Sequence, residues 1–156
     1  YLGIAQGAFE AAKNYTLPSS RPWLTSGVGN ASEDPYILKH YGELWVGLQA
    51  AEALTDKAAE LVQTAWEQEW SLSAELRGEC AIAIATAKVA ATRSGLDITN
   101  RIFEVMGARS THRKYGFDRY WRNLRTFTLH DPLDYKLQDI GHWALNNEYP
   151  QPNFYS

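Results

Sequence analysis

The sequence predicts an all-α fold, an up-down four-helix bundle. Apolar residues recur every three or four positions through two very long stretches. Alanine crowds the middle of the second (AIAIATAKVAAT), which favours helix and lets a neighbouring helix come close. No segment sustains the alternation of a strand, and no internal repeat is present.

Residues 1–16 carry Leu2, Ala5, Phe9 and Ala12 at helical spacing. The pattern stops at Leu17-Pro18, because a residue ahead of proline is pushed out of the helical region. Residues 17–33 hold two prolines, two glycines and five serines or threonines, the composition of a loop. Asp34-Pro35 then joins an N-cap acceptor to a proline at the first helical position. From there Ile37, Tyr41, Leu44, Leu48, Ala51, Leu54, Ala58, Leu61 and Ala65 mark one face of a helix reaching about Trp70. At 1.5 Å per residue it is roughly 50 Å long.

After a turn at residues 71–73, Leu72, Leu76, Cys80, Ile84, Ala87, Ala91, Ile98, Ile102 and Met106 form the stripe of a second long helix. Gly107 suits the position just past its end. Two such helices joined by a tight turn make an antiparallel hairpin that needs further helices to cover it. Residues 107–117 form a basic loop. A helix at about 118–128 carries Trp121 and Leu124 on one side and Arg119, Arg122 and Arg125 elsewhere. Asp131-Pro132 repeats the capping signal and starts another helix, with Leu133, Leu137, Ile140 and Ala144 facing inward. The tail EYPQPNFYS is too rich in proline for helix.

A length of 156 residues suits one domain with a real core. No apolar run approaches the roughly 20 residues that span a bilayer, and nothing in these residues resembles a cleavable signal. A formal charge of -3 gives no reason to expect nucleic acid or an anionic membrane as partner. The single cysteine, Cys80, excludes an internal disulfide or a cysteine-based zinc site and fits a reducing cytoplasm. Its place on an apolar stripe marks it as a small core residue. The chain opens on Tyr1 inside an amphipathic helix, so we expect a piece of a longer protein.

Candidate chemistry is sparse. His40, His112, His130 and His142 are scattered. A carboxylate-bridged di-iron bundle needs two Glu-x-x-His motifs, and only one Asp139-x-x-His142 is present, so no metal site is expected. Residues 107–111 (Gly-Ala-Arg-Ser-Thr) offer backbone N–H groups, two hydroxyls and Arg109 directly after a helix, which suits a phosphate; a solvated turn is the other reading. Arg119, Arg122 and Arg125 read as a charged face or an intersubunit salt-bridge set. Tyr120 and Trp121 among them would suit a nucleic acid, but the overall acidity argues against it. At residues 125–132 (Arg-Thr-Phe-Thr-Leu-His-Asp-Pro) two helices meet. His130 stands just before the cap Asp131, placed either to titrate near neutral pH in a cleft or to serve structure alone.

Several segments together carry a resemblance: SSRPW (19–23), SEDPYILKHYGEL (32–44), FEVMGARSTHRKYGFDRYWRNLRT (103–126), LHDPLDYKLQDIGHWALN (129–146) and the YPQPNFYS tail. They resemble the C-terminal helical domain of the acyl-CoA dehydrogenase superfamily, and within it the two-component flavin monooxygenases of the dibenzothiophene desulfurization type. The likeness covers essentially the whole chain. It implies that residues 1–156 are the C-terminal bundle of a larger flavoenzyme, preceded by an N-terminal helical domain and a β-barrel. It also implies a homo-oligomer, dimer or tetramer, built through the bundles.

The flavin would lie between barrel and bundle, with a second subunit's bundle at its phosphate end. Reduced FMN from a separate flavin reductase would form a flavin hydroperoxide, which oxygenates a sulfur, nitrogen or aromatic carbon of a small apolar substrate. By motif, Arg21 would hold the flavin phosphate with Trp23 beside it, while Arg109 and Ser110 would hold its phosphate or ribityl end. His130 would hydrogen-bond the peroxide or move a proton, with Asp131 as its neighbour and helix cap. One departure stands out: the family usually carries histidine where Phe127 lies, which points to a different or more apolar substrate. Two alternatives stay open, an FAD-dependent acyl-CoA dehydrogenase and a bundle that only assembles subunits. The chain alone is expected to be inactive.

Overall fold

The computed structural model describes residues 1–154, so Tyr155 and Ser156 of the tail lie outside the described residues. Five α-helices are present among them: α1 (Leu2–Ser19), α2 (Pro35–Glu67), α3 (Ala74–Met106), α4 (Asp118–His130) and α5 (Leu133–Asn146). Short 3-10 turns occupy Ala31–Glu33, Glu69–Ser71 and Ala108–Thr111, and no strand occurs among the described residues.

The helix ends follow the capping chemistry. Asp34 accepts the N–H groups of Tyr36 at 2.9 Å and Ile37 at 3.4 Å, which fixes the start of α2. Ser73 accepts that of Leu76 at 3.1 Å at the start of α3. Gly107, at φ 78°, ends α3 in a conformation that favours glycine. α1 runs on to Ser19, past the expected stop before Pro18. In the last turn a proline deletes only one N–H, and Ser20 still donates to the Thr16 carbonyl at 3.1 Å.

α3 is the axis and packs against each of the other four helices. α2 and α3 form the antiparallel hairpin, and α1 lies beside them. α4 and α5 run back along α3. Leu124 of α4 meets Gly95, Asp131 meets Lys88, and Tyr149 beyond α5 meets Gly78. The bundle therefore has four arms, the fourth broken at Asp131-Pro132 into two helices. The core joins Ala5, Ala8, Phe9, Ala12 and Tyr15 of α1 to Leu44 and Leu48 of α2 and to Ile98, Ile102, Val105 and Met106 of α3.

A polar clasp lies across the α2–α3 seam. Arg101 donates to Glu43 at 2.6 Å and to His40 Nδ1 at 2.7 Å, and contacts Glu104 and Asp97 at 3.2 Å each. These carboxylates push the guanidinium pKa above its ordinary value, so it stays charged.

Three sequence expectations need correction. Ile84, assigned to the α3 stripe, is 48% exposed, because α3 is covered on several sides and buries Ala85, Ala87, Val89 and Ala91 instead. On α5 the buried residue is Lys136, while Leu133, Leu137 and Ile140 are half-buried and Ala144 is exposed. Asp131 does not cap α5, which begins at Leu133 without a side-chain cap. Its carboxylate is taken by Lys88.

Candidate functional site

The first cluster forms where α1 and α3 both end. Ser20 Oγ donates to the Met106 carbonyl at 3.2 Å and Thr16 Oγ1 to the Val105 carbonyl at 3.4 Å, tying the two helix ends together. Tyr41 on α2 adds a 2.8 Å bond to Thr16 Oγ1. The chain after Ser20 is held by the buried Asp34 carboxylate, whose Oδ2 accepts the Trp23 N–H at 3.0 Å. That N–H, and those of Tyr36 and Ile37, hold the Asp34 pKa below its ordinary value against the opposing effect of burial.

These ties bring Arg21 and Arg109, far apart in sequence, onto one cleft of about 230 Å³, lined also by Tyr15, Ile37, Met106 and Gly107. Both arginines are exposed, and neither forms an ion pair among the described residues. Glu104 also borders the cleft, but Arg101 already holds its carboxylate. Trp23 stands beside Arg21, 70% exposed. Ser110 is buried, and its hydroxyl donates to the Gly107 carbonyl at 2.7 Å. That hydroxyl has no second proton for an anion, so in this conformation Ser110 shapes the loop.

An aromatic cluster that the sequence reading missed stands next to it. Tyr15 meets Tyr115 and Phe117 edge-on at 5.1 and 5.4 Å, and Tyr115 stacks on Phe117 at 5.8 Å. Lys114 Nζ lies 4.7 Å above the Tyr115 ring and, with the Tyr15 hydroxyl, lowers that phenol's pKa against the effect of burial. Burial raises the pKa of Tyr15, while the charge of Arg109 acts in the opposite direction. The only sequence signal for this cluster was the aromatic pair around Gly116.

The second cluster is the α4–α5 junction. Leu124 and Thr128 turn α4 inward, which leaves Asn123, Thr126, Phe127 and His130 on the outward face at helical spacing. Phe127 is 59% exposed, one turn from His130, with its ring edge-on to Tyr1 at 6.4 Å. Asp131 contacts the Lys88 ammonium, which also lies 3.4 Å from the Asp131 carbonyl. Lys88 went unremarked in the sequence reading. The signal was there: one lysine alone among alanines on the most buried helix.

The two clusters lie at opposite ends of α4. α4 itself is 13 residues long, about 20 Å at 1.5 Å per residue. No residue of the α4–α5 junction lines the cleft shared by Arg21 and Arg109.

Other residues singled out in the sequence fall elsewhere. Cys80 is buried and its thiol lies 3.3 Å from the Leu61 carbonyl; burial pushes its pKa up, as befits a core residue. His142 is exposed, 3.8 Å from Glu148. Arg122 pairs with Asp118 at 3.2 Å, and Arg119 lies over the Tyr120 ring at 4.8 Å, a charged helix face.

Residues 1–135 match the profile of the acyl-CoA dehydrogenase, C-terminal domain family. The chain belongs to that family. Over all 156 residues it is 58% identical to a probable FMNH2-dependent monooxygenase of Pseudomonas putida and covers 40% of that protein. It is 53% identical to a dibenzothiophene monooxygenase of Mycolicibacterium goodii, covering 38% of it. Among solved structures, 99% of the chain superposes on 40% of a methanesulfinate monooxygenase from Pseudomonas fluorescens, with a TM-score of 0.97 and 59% identity. All of it superposes on 40% of a monooxygenase from Paenibacillus sp. A11-2 in complex with FMN and indole, with a TM-score of 0.95 and 48% identity. The chain thus spans about 40% of the length of these relatives. No helix among the described residues is long and apolar enough to cross a membrane.

Proposed function

We propose that residues 1–156 are the C-terminal bundle of a flavin-dependent monooxygenase that uses reduced FMN and oxygen to oxygenate a small apolar substrate containing sulfur, nitrogen or an aromatic ring. The observation that carries this reading is the convergence of Arg21 and Arg109, neither of them ion-paired among the described residues, on one cleft at the end of α3. Two unpaired guanidiniums fit a phosphate, which they bind in a bidentate manner. A cleft of about 230 Å³ suits the phosphate end of the cofactor but is small for a whole ligand.

In this reading Arg21 and Arg109 hold the FMN phosphate, Trp23 flanks it, and Ser110 keeps the loop in shape. Reduced flavin supplies the electrons that activate oxygen. His130, exposed at the end of α4, holds or passes a proton through an imidazole nitrogen, and Phe127 beside it gives the substrate an apolar surface. No residue of the α4–α5 junction lines the cleft of Arg21 and Arg109, which supports a cleft that serves the flavin of a neighbouring subunit, within a dimer or tetramer built through the bundles. A separate reductase supplies the reduced FMN, and an N-terminal helical domain and a β-barrel complete the pocket. A cytoplasmic location is supported by the unpaired Cys80 thiol. The dehydrogenase alternative needs a free carboxylate as base, and Asp131 at this junction is held by Lys88.

The full-length protein tests the reading by separating binding from turnover. Arg21→Ala and Arg109→Ala should each weaken FMN binding about ten- to a hundredfold, the loss of one charge-assisted contact. His130→Ala should leave FMN affinity within about threefold while kcat falls about a hundredfold. Unchanged FMN affinity in both arginine variants would overturn the assignment of the cleft.

A further inference from the structure

The loop that brings Arg109 to the cleft carries more positive charge than a phosphate site needs. Residues 107–117 hold Arg109, Arg113 and Lys114 and no acidic residue, in a chain whose formal charge is -3. Arg113 and Lys114 are exposed, and neither forms an ion pair among the described residues. The carboxylates of Glu104 at the cleft, Asp34 behind Arg21 and Asp118 just past the loop are engaged already, by Arg101, by three backbone N–H groups and by Arg122. Gly107 and Gly116, at φ 78° and 61°, turn the chain at the two ends of the loop, and the Tyr115 N–H donates to the His112 carbonyl at 3.0 Å. Lys114 Nζ lies 4.7 Å above the Tyr115 ring, which meets Tyr15 edge-on at 5.1 Å, and Tyr15 lines the cleft. The charge of Arg109 acts on both phenols and that of Lys114 on Tyr115, so the two cations share one neighbourhood. Yet neither Arg113 nor Lys114 lines the cleft itself.

We propose that Arg113 and Lys114 are an electrostatic guide for the flavin phosphate: they draw the anion toward the cleft without touching it once bound, and so set the rate at which FMN associates. This rests on the reading of the cleft as the FMN phosphate site. A phosphate monoester carries about two negative charges at neutral pH. A free cation attracts it over a Debye length, about 8 Å at physiological ionic strength and about 30 Å at about 0.01 M. The loop presents such cations at the rim of a cleft in a chain that is acidic as a whole, where the net charge would otherwise repel the ligand. A charge that acts at a distance favours the approaching anion and the bound one alike, so it raises the association rate and leaves dissociation unchanged. Arg21 and Arg109, which hold the phosphate in this reading, act on dissociation as well.

The experiment uses the full-length protein and needs no turnover. Stopped-flow quenching of flavin fluorescence on mixing with FMN gives both rate constants. At about 0.01 M salt the double variant Arg113→Gln/Lys114→Gln should lower kon about fivefold and leave koff within about twofold. At about 0.5 M salt the difference in kon should shrink below about 1.5-fold. Riboflavin, the same ring system without the phosphate, should associate equally fast with variant and wild type, which a distorted loop would not allow. Lys114→Arg, which keeps the charge, should keep the wild-type rate. A wild-type kon for FMN at low salt overturns the proposal, whether or not koff rises, and so does an equal slowing of riboflavin. Should the double variant not fold, Lys114→Gln alone replaces it with a slowing of about twofold, and an unchanged rate overturns the proposal equally. The arginines of the cleft separate the two readings. Wild-type FMN affinity in both Arg21→Ala and Arg109→Ala overturns the cleft and the proposal with it. Weakened affinity in those variants together with an unmoved kon in Arg113→Gln/Lys114→Gln overturns the proposal alone.

Discussion

The Asp34 carboxylate divides its two oxygens between two segments: Oδ2 accepts the Trp23 N–H at 3.0 Å, and Oδ1 accepts those of Tyr36 at 2.9 Å and Ile37 at 3.4 Å. One side chain thus starts α2 and anchors the loop that carries Arg21. The Trp23 N–H is the largest influence holding the Asp34 pKa down in the folded chain. A group depressed in this way contributes stability that is fully present above the unfolded carboxylate range near pH ~4, and loses it as pH falls through the folded value. Thermal melts by circular dichroism check this. Asp34→Ala should lower Tm by about 5 °C at neutral pH, the scale of a lost cap in a chain of this size. The gap between variant and wild type should then narrow as the buffer is made more acid. A gap that stays constant down to about pH 3 would count against it.

The parts of this fold legible in the sequence are those governed by local chemistry. Asp34-Pro35 and Gly107 mark helix ends because caps act within a turn of the chain, and the two long helices follow from periodicity. The misses come from contacts across the fold. Asp131-Pro132 carries the same capping signature as Asp34-Pro35, yet Lys88, 43 residues earlier, takes the carboxylate. Arg21 and Arg109 were named separately. That they share a cleft depends on Ser20 and Thr16 tying the end of α1 to the end of α3, a pairing no local pattern encodes.

In the fourth arm Leu124 packs directly against Gly95 of the axial helix. A Cβ built on Gly95 would lie 2.8 Å from Leu124 Cδ2, so the glycine is there to admit the leucine. Leu124 is fully buried, and Leu124→Ala should cost about 3 kcal/mol in urea unfolding. Gly95→Ala should cost about 1 kcal/mol or more by crowding the same space. Because the two changes act on one volume in opposite senses, the double variant should be more stable than their sum predicts by about 1 kcal/mol. Strict additivity would show that Leu124 does not fill the space Gly95 leaves.

Gly78 plays the corresponding part at the other end of α3. A side chain there would fall within the Tyr149 ring, which is itself stacked on Trp143 at 4.4 Å between centroids. Arg77 donates to the Pro150 carbonyl at 3.2 Å, so this hydrogen bond, the Tyr149 ring and its stack on Trp143 all help to hold the segment after α5. Gly78→Ala should displace the ring and leave α3 intact, since alanine is the better helix former. Helical circular dichroism should therefore hardly change, while the rate at which a nonspecific protease clips the chain after Asn146 rises about tenfold, because cleavage follows the population of the undocked tail. Tyr149→Ala should give the same protease sensitivity by removing the ring from the other side. The two changes together should add little, because the tail is already released by either one. Equal clipping rates in wild type and Gly78→Ala would mean that the contact at Gly78 does not hold the tail.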